Sequence, residues 1–215
     1  MKNILCHGLV DHLLKCNLKQ ILDRSLMHCH SRNLHSIMLL ECPEKTIRMF
    51  VAEADHEMYR NCPWNKENQS LGFHPHHCDL TLSCVRGNIY NWVVEEQSSN
   101  NTPKFRVLDI DEYRYNSQIT AGKIGFNKIG RSKLESHSFN KIVTDAPVHM
   151  EAKKIHTVYV PAGETAAWFA LEGLEDPNYK NSCWSYANLE EENFDHLYKP
   201  MDEENLRRIL SIALG

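Results

Sequence analysis

From His74 to Cys84 every second residue is histidine, cysteine or leucine (His74, His76, Cys78, Leu80, Leu82, Cys84), with His77, Asp79, Thr81 and Ser83 among the residues between. Period two is the mark of a strand with one buried face. The apolar side must point into a core, so the imidazoles of His74 and His76 are predicted to enter that core side by side. A buried imidazole without a partner costs roughly a few kcal/mol of desolvation, so the pair wants hydrogen-bond acceptors or a metal. Pro75 between them lacks an amide hydrogen, which suits a strand's first residues or an edge.

A third imidazole has the same phase. In IHTVYV, His156 alternates with Val158 and Val160 and is predicted to face inward. The longer run KKIHTVYVPAGETAAWFALEG reads as two strands joined in a hairpin by a turn at Pro161, Ala162 and Gly163. Upstream, LHSIMLL and TIRMFVAEA are short strands separated by the turn-forming CPEK. The polar EEQSSNNTPK precedes FRVLDIDEYRY, an alternating strand expected to form another hairpin across that loop. Glycines at 122, 125 and 130 punctuate short elements, and 131 to 150 carries no pattern that assigns it.

Both ends read as helical. Ile4, Leu5, Leu9, Leu13, Leu14, Leu18, Ile21 and Leu22 draw an apolar stripe at helical spacing, predicting one helix or a helix pair over residues 3 to 26. MDEENLRRILSIALG closes as a helix with Asp202 as N-cap and acidic residues in its first turn. Many short strands between helical ends predict a mainly β fold, a barrel or jelly roll with helical decoration. The expected division of the single domain is a helical segment at 1–33, a barrel at 34–175 and an extension with its helix at 176–215.

Composition narrows the partners. A net charge of −4 and a pI near 6.3 give no basic footprint for nucleic acid, and no apolar run of about 18 residues predicts a membrane span. The opening MKNILCHGLVDHLLKC lacks a secretory signal's pattern, so a cytoplasmic location is expected. Eight cysteines are scattered without a CxxC pair, and several lie in apolar runs, which predicts reduced thiols. Cys78 and Cys84 face inward in this reading and are core filler rather than nucleophiles.

GFHPHHCDLTLSCVRG resembles the first motif of the cupins, a glycine followed by HxH and, after a strand, a second glycine, here His74, His76 and Gly87. PAG at 161 to 163 resembles their second motif. Leu80 stands where the family's acidic residue is usual, and Ala166 where a histidine usually follows PxG. His156, before the turn, is similar instead to the third histidine of the thiol dioxygenases, the cysteine dioxygenase group, which do without the acid. The resemblance covers roughly residues 34 to 175. It implies a cupin-type double-stranded β-helix, often a homodimer, holding one divalent metal on His74, His76 and His156. Fe(II) is favoured, with Zn or Ni as alternatives, and the implied activity is oxygenation of a small molecule such as a thiol.

Other assignments stay open at this level. HxH also occurs as a polar strand end. A register slip would make His77 and Asp79 the ligands, and His149 or Glu164 would serve in place of His156. Arg48, Tyr113, Tyr115 and Trp168 line a pocket or serve the core. A barrel that grips a small ligand without chemistry is the alternative function.

Overall fold

The computed structural model describes residues 2–62, 64, 72–97, 106–115, 125–176, 179 and 181–215. Most of the polar 95–104 loop and Gly122 lie outside the described residues. Helix α1 (Lys2–Arg24) carries a break at Asn17, so the apolar stripe is indeed divided between two helical pieces. Among the described residues twelve strands follow: β1 (Leu26–Met27), β2 (Leu34–Cys42), β3 (Lys45–Ala52), β4 (Cys78–Arg86), β5 (Ile89–Glu96), β6 (Val107–Tyr115), β7 (Phe126–Ile142), β8 (Val148–Met150), β9 (Ile155–Tyr159), β10 (Ala166–Glu175), β11 (Ser182–Ser185) and β12 (Lys199–Pro200). Helix α2 (Glu203–Leu214) ends the chain, and the Asp202 side chain accepts from the Asn205 amide at 2.8 Å, as its capping role requires.

Two sheets form, in the orders β12-β1-β2-β3-β10-β4-β8 and β11-β6-β7-β5-β9. The pairing rule behind them becomes plain once the bridge between His74 and His156 is counted, which adds residues 73–74 as a short strand beside β9. Take eight segments in chain order: β3, 73–74, β4, β5, β7, β8, β9 and β10. The first pairs with the eighth, the second with the seventh, the third with the sixth and the fourth with the fifth. Two further pairings, β10 with β4 and β9 with β5, assemble these into the two sheets. An antiparallel ribbon folded over in this way is a jelly roll, the double-stranded β-helix.

This topology corrects two local expectations. β9 and β10 flank the Pro161–Gly163 turn but lie in different sheets, so the turn carries the chain across the barrel instead of closing a hairpin. β6 pairs with β7 and β11, not with β5. Local turn chemistry marks where a strand stops, but which strand it then pairs with is set by burial of whole faces. The unassigned 131–150 stretch supplies most of β7 and all of β8; its buried and exposed residues do not alternate because β7 is long, exposed over much of its length and kinked in register.

Between the sheets lies the core of Leu80, Leu82, Cys84, Ile89, Val158, Val160, Trp168 and their neighbours. On the other side of the first sheet, Ile37, Leu39, Met49, Val51 and Ala167 pack against Val10 and Ile21 of α1 and Leu206, Ile209 and Leu210 of α2. The first sheet is thus covered on both faces, which is why β3 and β10 read as nearly continuous apolar runs. Phe73 exchanges both backbone hydrogen bonds with Trp184 of β11, at 2.8 Å each, and buries its ring against Trp92 in a third cluster. Gly72 passes so close to β11 that a Cβ there would lie 1.6 Å from the Trp184 carbonyl oxygen. Only glycine fits, and the approach fixes where the next residues, Phe73 and His74, leave the backbone.

Candidate metal centre

His74 and His156 are direct antiparallel neighbours. The His74 amide donates to the His156 carbonyl at 3.0 Å and the His156 amide to that of His74 at 3.1 Å, so both side chains leave on the same face. His76 lies just outside β4, contrary to the continuous strand expected from 74 to 84; it is placed by its amide donating to the Ala152 carbonyl at 3.0 Å. Asp79 secures the same loop by accepting from the Ala152 amide at 2.9 Å. The alternation itself holds along β4, with Cys78, Leu80, Leu82 and Cys84 buried.

The three imidazoles meet. One ligand atom from each of His74, His76 and His156 lies within 4.8 Å of the others, and Nε2 of His76 is 2.7 Å from Nε2 of His156. Two nitrogens bound to one divalent ion at the usual bond length stand about 3.0 to 3.4 Å apart, so small side-chain shifts bring the set to coordination distance. The tautomers are set from behind. His156 Nδ1–H donates to Asn91 Oδ1 at 2.6 Å, and the Gly72 carbonyl accepts from His74 Nδ1 at 3.4 Å, leaving Nε2 of each with its lone pair turned to the common point. Burial holds all three imidazoles below their usual protonation range; the neighbouring histidines add to this for His76 and His156, while the Gly72 carbonyl opposes it at His74. Neutral imidazoles whose ring nitrogens converge, with Nδ1 of His74 and of His156 held from behind, are a donor set that fits a divalent ion.

The reserve candidates point elsewhere. His77 is exposed and 3.8 Å from Glu175, His149 bonds Thr81, and Glu164 accepts from Asn88. Tyr113 and Tyr115 belong to a separate cluster around Phe126 and Cys183. Trp168 does line the cavity beside the imidazoles, stacked on Phe50 with ring centres 5.5 Å apart. Arg48 donates to Glu172 at 3.0 Å and to Ser36 at 3.3 Å, and Glu172 reaches the same cavity. Burial pushes the Cys29 and Cys183 thiols up to about 12 and Cys78 up to about 11, and Cys16, Cys29, Cys42, Cys62, Cys78, Cys84 and Cys183 are all free thiols.

No family model and no curated protein matches the chain. Among solved structures it is similar to hydroxypropylphosphonic acid epoxidase from S. wedmorenis, with 11% identity and a TM-score of 0.39, over 71% of this chain and 57% of that one. It is also similar to an RmlC-like cupin family protein with a double-stranded β-helix fold from Methanocaldococcus jannaschii, with 8% identity and a TM-score of 0.33, over 66% of this chain and 79% of that one. A third is hydroquinone 1,2-dioxygenase from a Sphingomonas species, with 11% identity and a TM-score of 0.36, over 65% of each chain. The chain therefore spans less than two thirds of the epoxidase and of the dioxygenase. Likenesses this distant carry no inference about activity. The strand pairing decides the fold: it is the double-stranded β-helix, a jelly roll.

Several residues of the site escaped the sequence reading. Asn91 had a signal, a polar amide at a buried position of an otherwise apolar, aromatic strand, where asparagine is disfavoured. It sits opposite Val158 and diagonal to His156 across the β5–β9 ladder. Asn91→Ala removes the acceptor that orients His156 and is expected to weaken metal binding about 10- to 100-fold, the cost typical of losing such a partner. A competition titration against a chelator measures it, and unchanged affinity would mean that the His156 tautomer is set otherwise. His30, Ser31 and Asn61 also line the cavity, and nothing in their local sequence marks them. Among the described residues, no helix is long and apolar enough to cross a membrane.

Proposed function

We propose that this chain is a metal-dependent cupin oxygenase, with His74, His76 and His156 as the protein ligands of one divalent ion, Fe(II), acting on a small molecule such as a thiol. The observation that carries the reading is the convergence of three neutral imidazoles on one point beside an apolar cavity. His74, His76 and His156 would hold an iron ion, which when bound would supply activation of dioxygen and binding of a soft donor such as a thiol. The chain's own part is to orient and to exclude water. Asn91 holds His156, the Gly72 carbonyl holds His74, and Phe50, Leu80, Leu82, Val158 and Trp168 wall the open side. A cavity of about 60 Å³ limits the substrate to a few heavy atoms unless its wall moves.

The test is to load the protein anaerobically with Fe(II), measure bound metal by elemental analysis, and follow oxygen uptake with a series of small thiols. The reading expects about one ion per chain and oxygen consumed in step with loss of thiol. Metal uptake without oxygen consumption would favour the non-catalytic ligand-binding cupin. Protein that stays metal-free after exposure to Fe(II), Zn and Ni would end the reading altogether.

A further inference from the structure

The second sheet closes on itself. Its outer strands are β11 and β9, and residues 73–74 pair with both: Phe73 with Trp184 of β11, and His74 with His156 of β9. The pairing runs from 73–74 through β11, β6, β7, β5 and β9 back to 73–74, a ring of antiparallel segments. Each segment sends a side chain into one buried cluster, where Phe73, Trp184, Ile110, Leu134, Trp92 and Ile155 meet. That is the filled interior of a second, smaller barrel. The next residues on two of its segments, His74 and His156, leave on the opposite face and line the metal cavity. Residues 73–74 are therefore the wall between two cores.

Among the described residues this wall is also the ring's weakest seam. One residue pair holds each flank: Phe73 exchanges bonds of 2.8 Å with Trp184, and His74 exchanges bonds of 3.0 and 3.1 Å with His156. The ring's next shortest ladder, β11 with β6, already runs from Ser182 to Ser185. Single backbone hydrogen bonds contribute little net, so closure rests largely on the buried Phe73 ring, edge-on to Trp92 with centres 4.7 Å apart. The candidate ligands straddle the same seam. His74 and His76 come from this segment and its continuation and His156 from β9, so an ion held by all three is a crosslink across it.

We propose that Gly72–His76 is a strap closing the second barrel, positioned by Phe73, and that a metal ion on His74, His76 and His156 locks it shut. The strap is a property of the metal-free protein; the lock deepens the metal-centre reading and rests on it. Opening the strap frees both of its flanks together and breaks up the ligand set. An ion that binds only the closed form suppresses that opening, and by reciprocity whatever loosens the strap weakens the ion's hold. Metal occupancy is thus felt at Trp184, on a strand that supplies no ligand.

Hydrogen exchange at the Phe73, His74, His156 and Trp184 amides tests both halves, followed by NMR in metal-free protein first. A strap opens as one unit, so all four share one opening free energy and one denaturant slope, below those of the β5–β7 ladder. Zn is then added to about a hundredfold excess over its dissociation constant, and elemental analysis gives the bound metal. All four amides slow by at least about tenfold, Trp184 included, because an opening that breaks an occupied site becomes rarer by the degree of saturation. Phe73→Leu keeps every ligand yet lowers Zn affinity about tenfold, within the usual range of coupling between sites. Ile209→Val, in the helix-covered core beyond the first sheet, lowers the melting temperature and leaves Zn affinity unchanged. A Phe73 that merely fills space would behave as Ile209 does. Trp184 and His156 amides that open independently in the metal-free protein would overturn the strap. Bound Zn with no slowing at Trp184, or wild-type Zn affinity in Phe73→Leu, would overturn the lock and leave the metal centre standing. Four amides that open together in a protein that takes up no Zn uphold the strap and end the lock along with the metal centre.

Discussion

His156→Ala is expected to lose at least about a hundredfold in metal affinity, so that a protein carrying about one ion per chain falls to near none under the same loading. His156 is the most deeply held of the three, 2% exposed, tied by its backbone to His74 and by its ring to Asn91. Removing its ring takes away about a third of the protein's donors and leaves Asn91 Oδ1 without its donor. The fold should survive, at a cost of about 1 to 3 kcal/mol for that orphaned oxygen, because Leu80, Leu82, Val158 and Trp168 still pack between the sheets. Elemental analysis after loading gives occupancy, and a thermal melt of the metal-free variant gives the folding cost. His77→Ala and His149→Ala, both at exposed positions, serve as controls and keep full occupancy. Full occupancy in His156→Ala would remove the imidazole cluster as the ligand set. Loss of occupancy in the controls as well would place the metal elsewhere.

How far such a site can be read from sequence depends on the range over which each interaction acts. The inward phase of His156 was legible because alternation along a strand is a local property, fixed by the pleat and by the apolar neighbours Val158 and Val160, whereas His74 and His76 lie outside β4 and are turned inward by the bridge to His156 and by the bond to the Ala152 carbonyl. Their convergence rested on topology. His74 and His156 become neighbours only because an eight-segment ribbon folds over, setting the second segment beside the seventh. The same global demand sent β9 and β10 into opposite sheets, despite a turn whose residues suited a hairpin. His30, Ser31 and Asn61 were invisible for a further reason. His30 and Ser31 sit in an irregular connection with a left-handed backbone at His28, His30 and Asn33, and Asn61 closes a short 3-10 turn, so no strand or helix period applies to any of them. Position within a strand is written locally, whereas membership of a site is written in the pairing.

The metal-free protein should lose stability steeply as the pH falls below about 6.5. His28, His30, His35, His56, His74, His76 and His156 all have their imidazoles held below the ordinary range, in each case chiefly by burial, with His30 taken down to about 3. Contacts with Glu53 at His35 and with backbone carbonyls at His56 and His74 work against burial without overcoming it. In the unfolded chain the same groups take up protons near pH 6.5, so below that value the unfolded state binds more protons than the folded one. Each such proton tilts the balance by about 1.4 kcal/mol per pH unit, so stability fully present above the unfolded value drains away as the pH falls through the folded ones. For His30 the loss continues to about pH 3. Denaturant melts of metal-free protein between pH 7.5 and 4.5 measure the slope. A decline of several kcal/mol over that interval is expected, beginning near 6.5, and a flat profile would show that these imidazoles are protonated in the fold. The same burial makes a second quantity telling. Three ordinary histidines at pH 6.5 would release about 1.5 protons on binding a metal, each being half protonated, whereas imidazoles already neutral release almost none. Calorimetry of Zn binding in two buffers of different ionisation enthalpy counts those protons, and a count near zero would show that the fold, rather than the metal, strips His74, His76 and His156 of their charge.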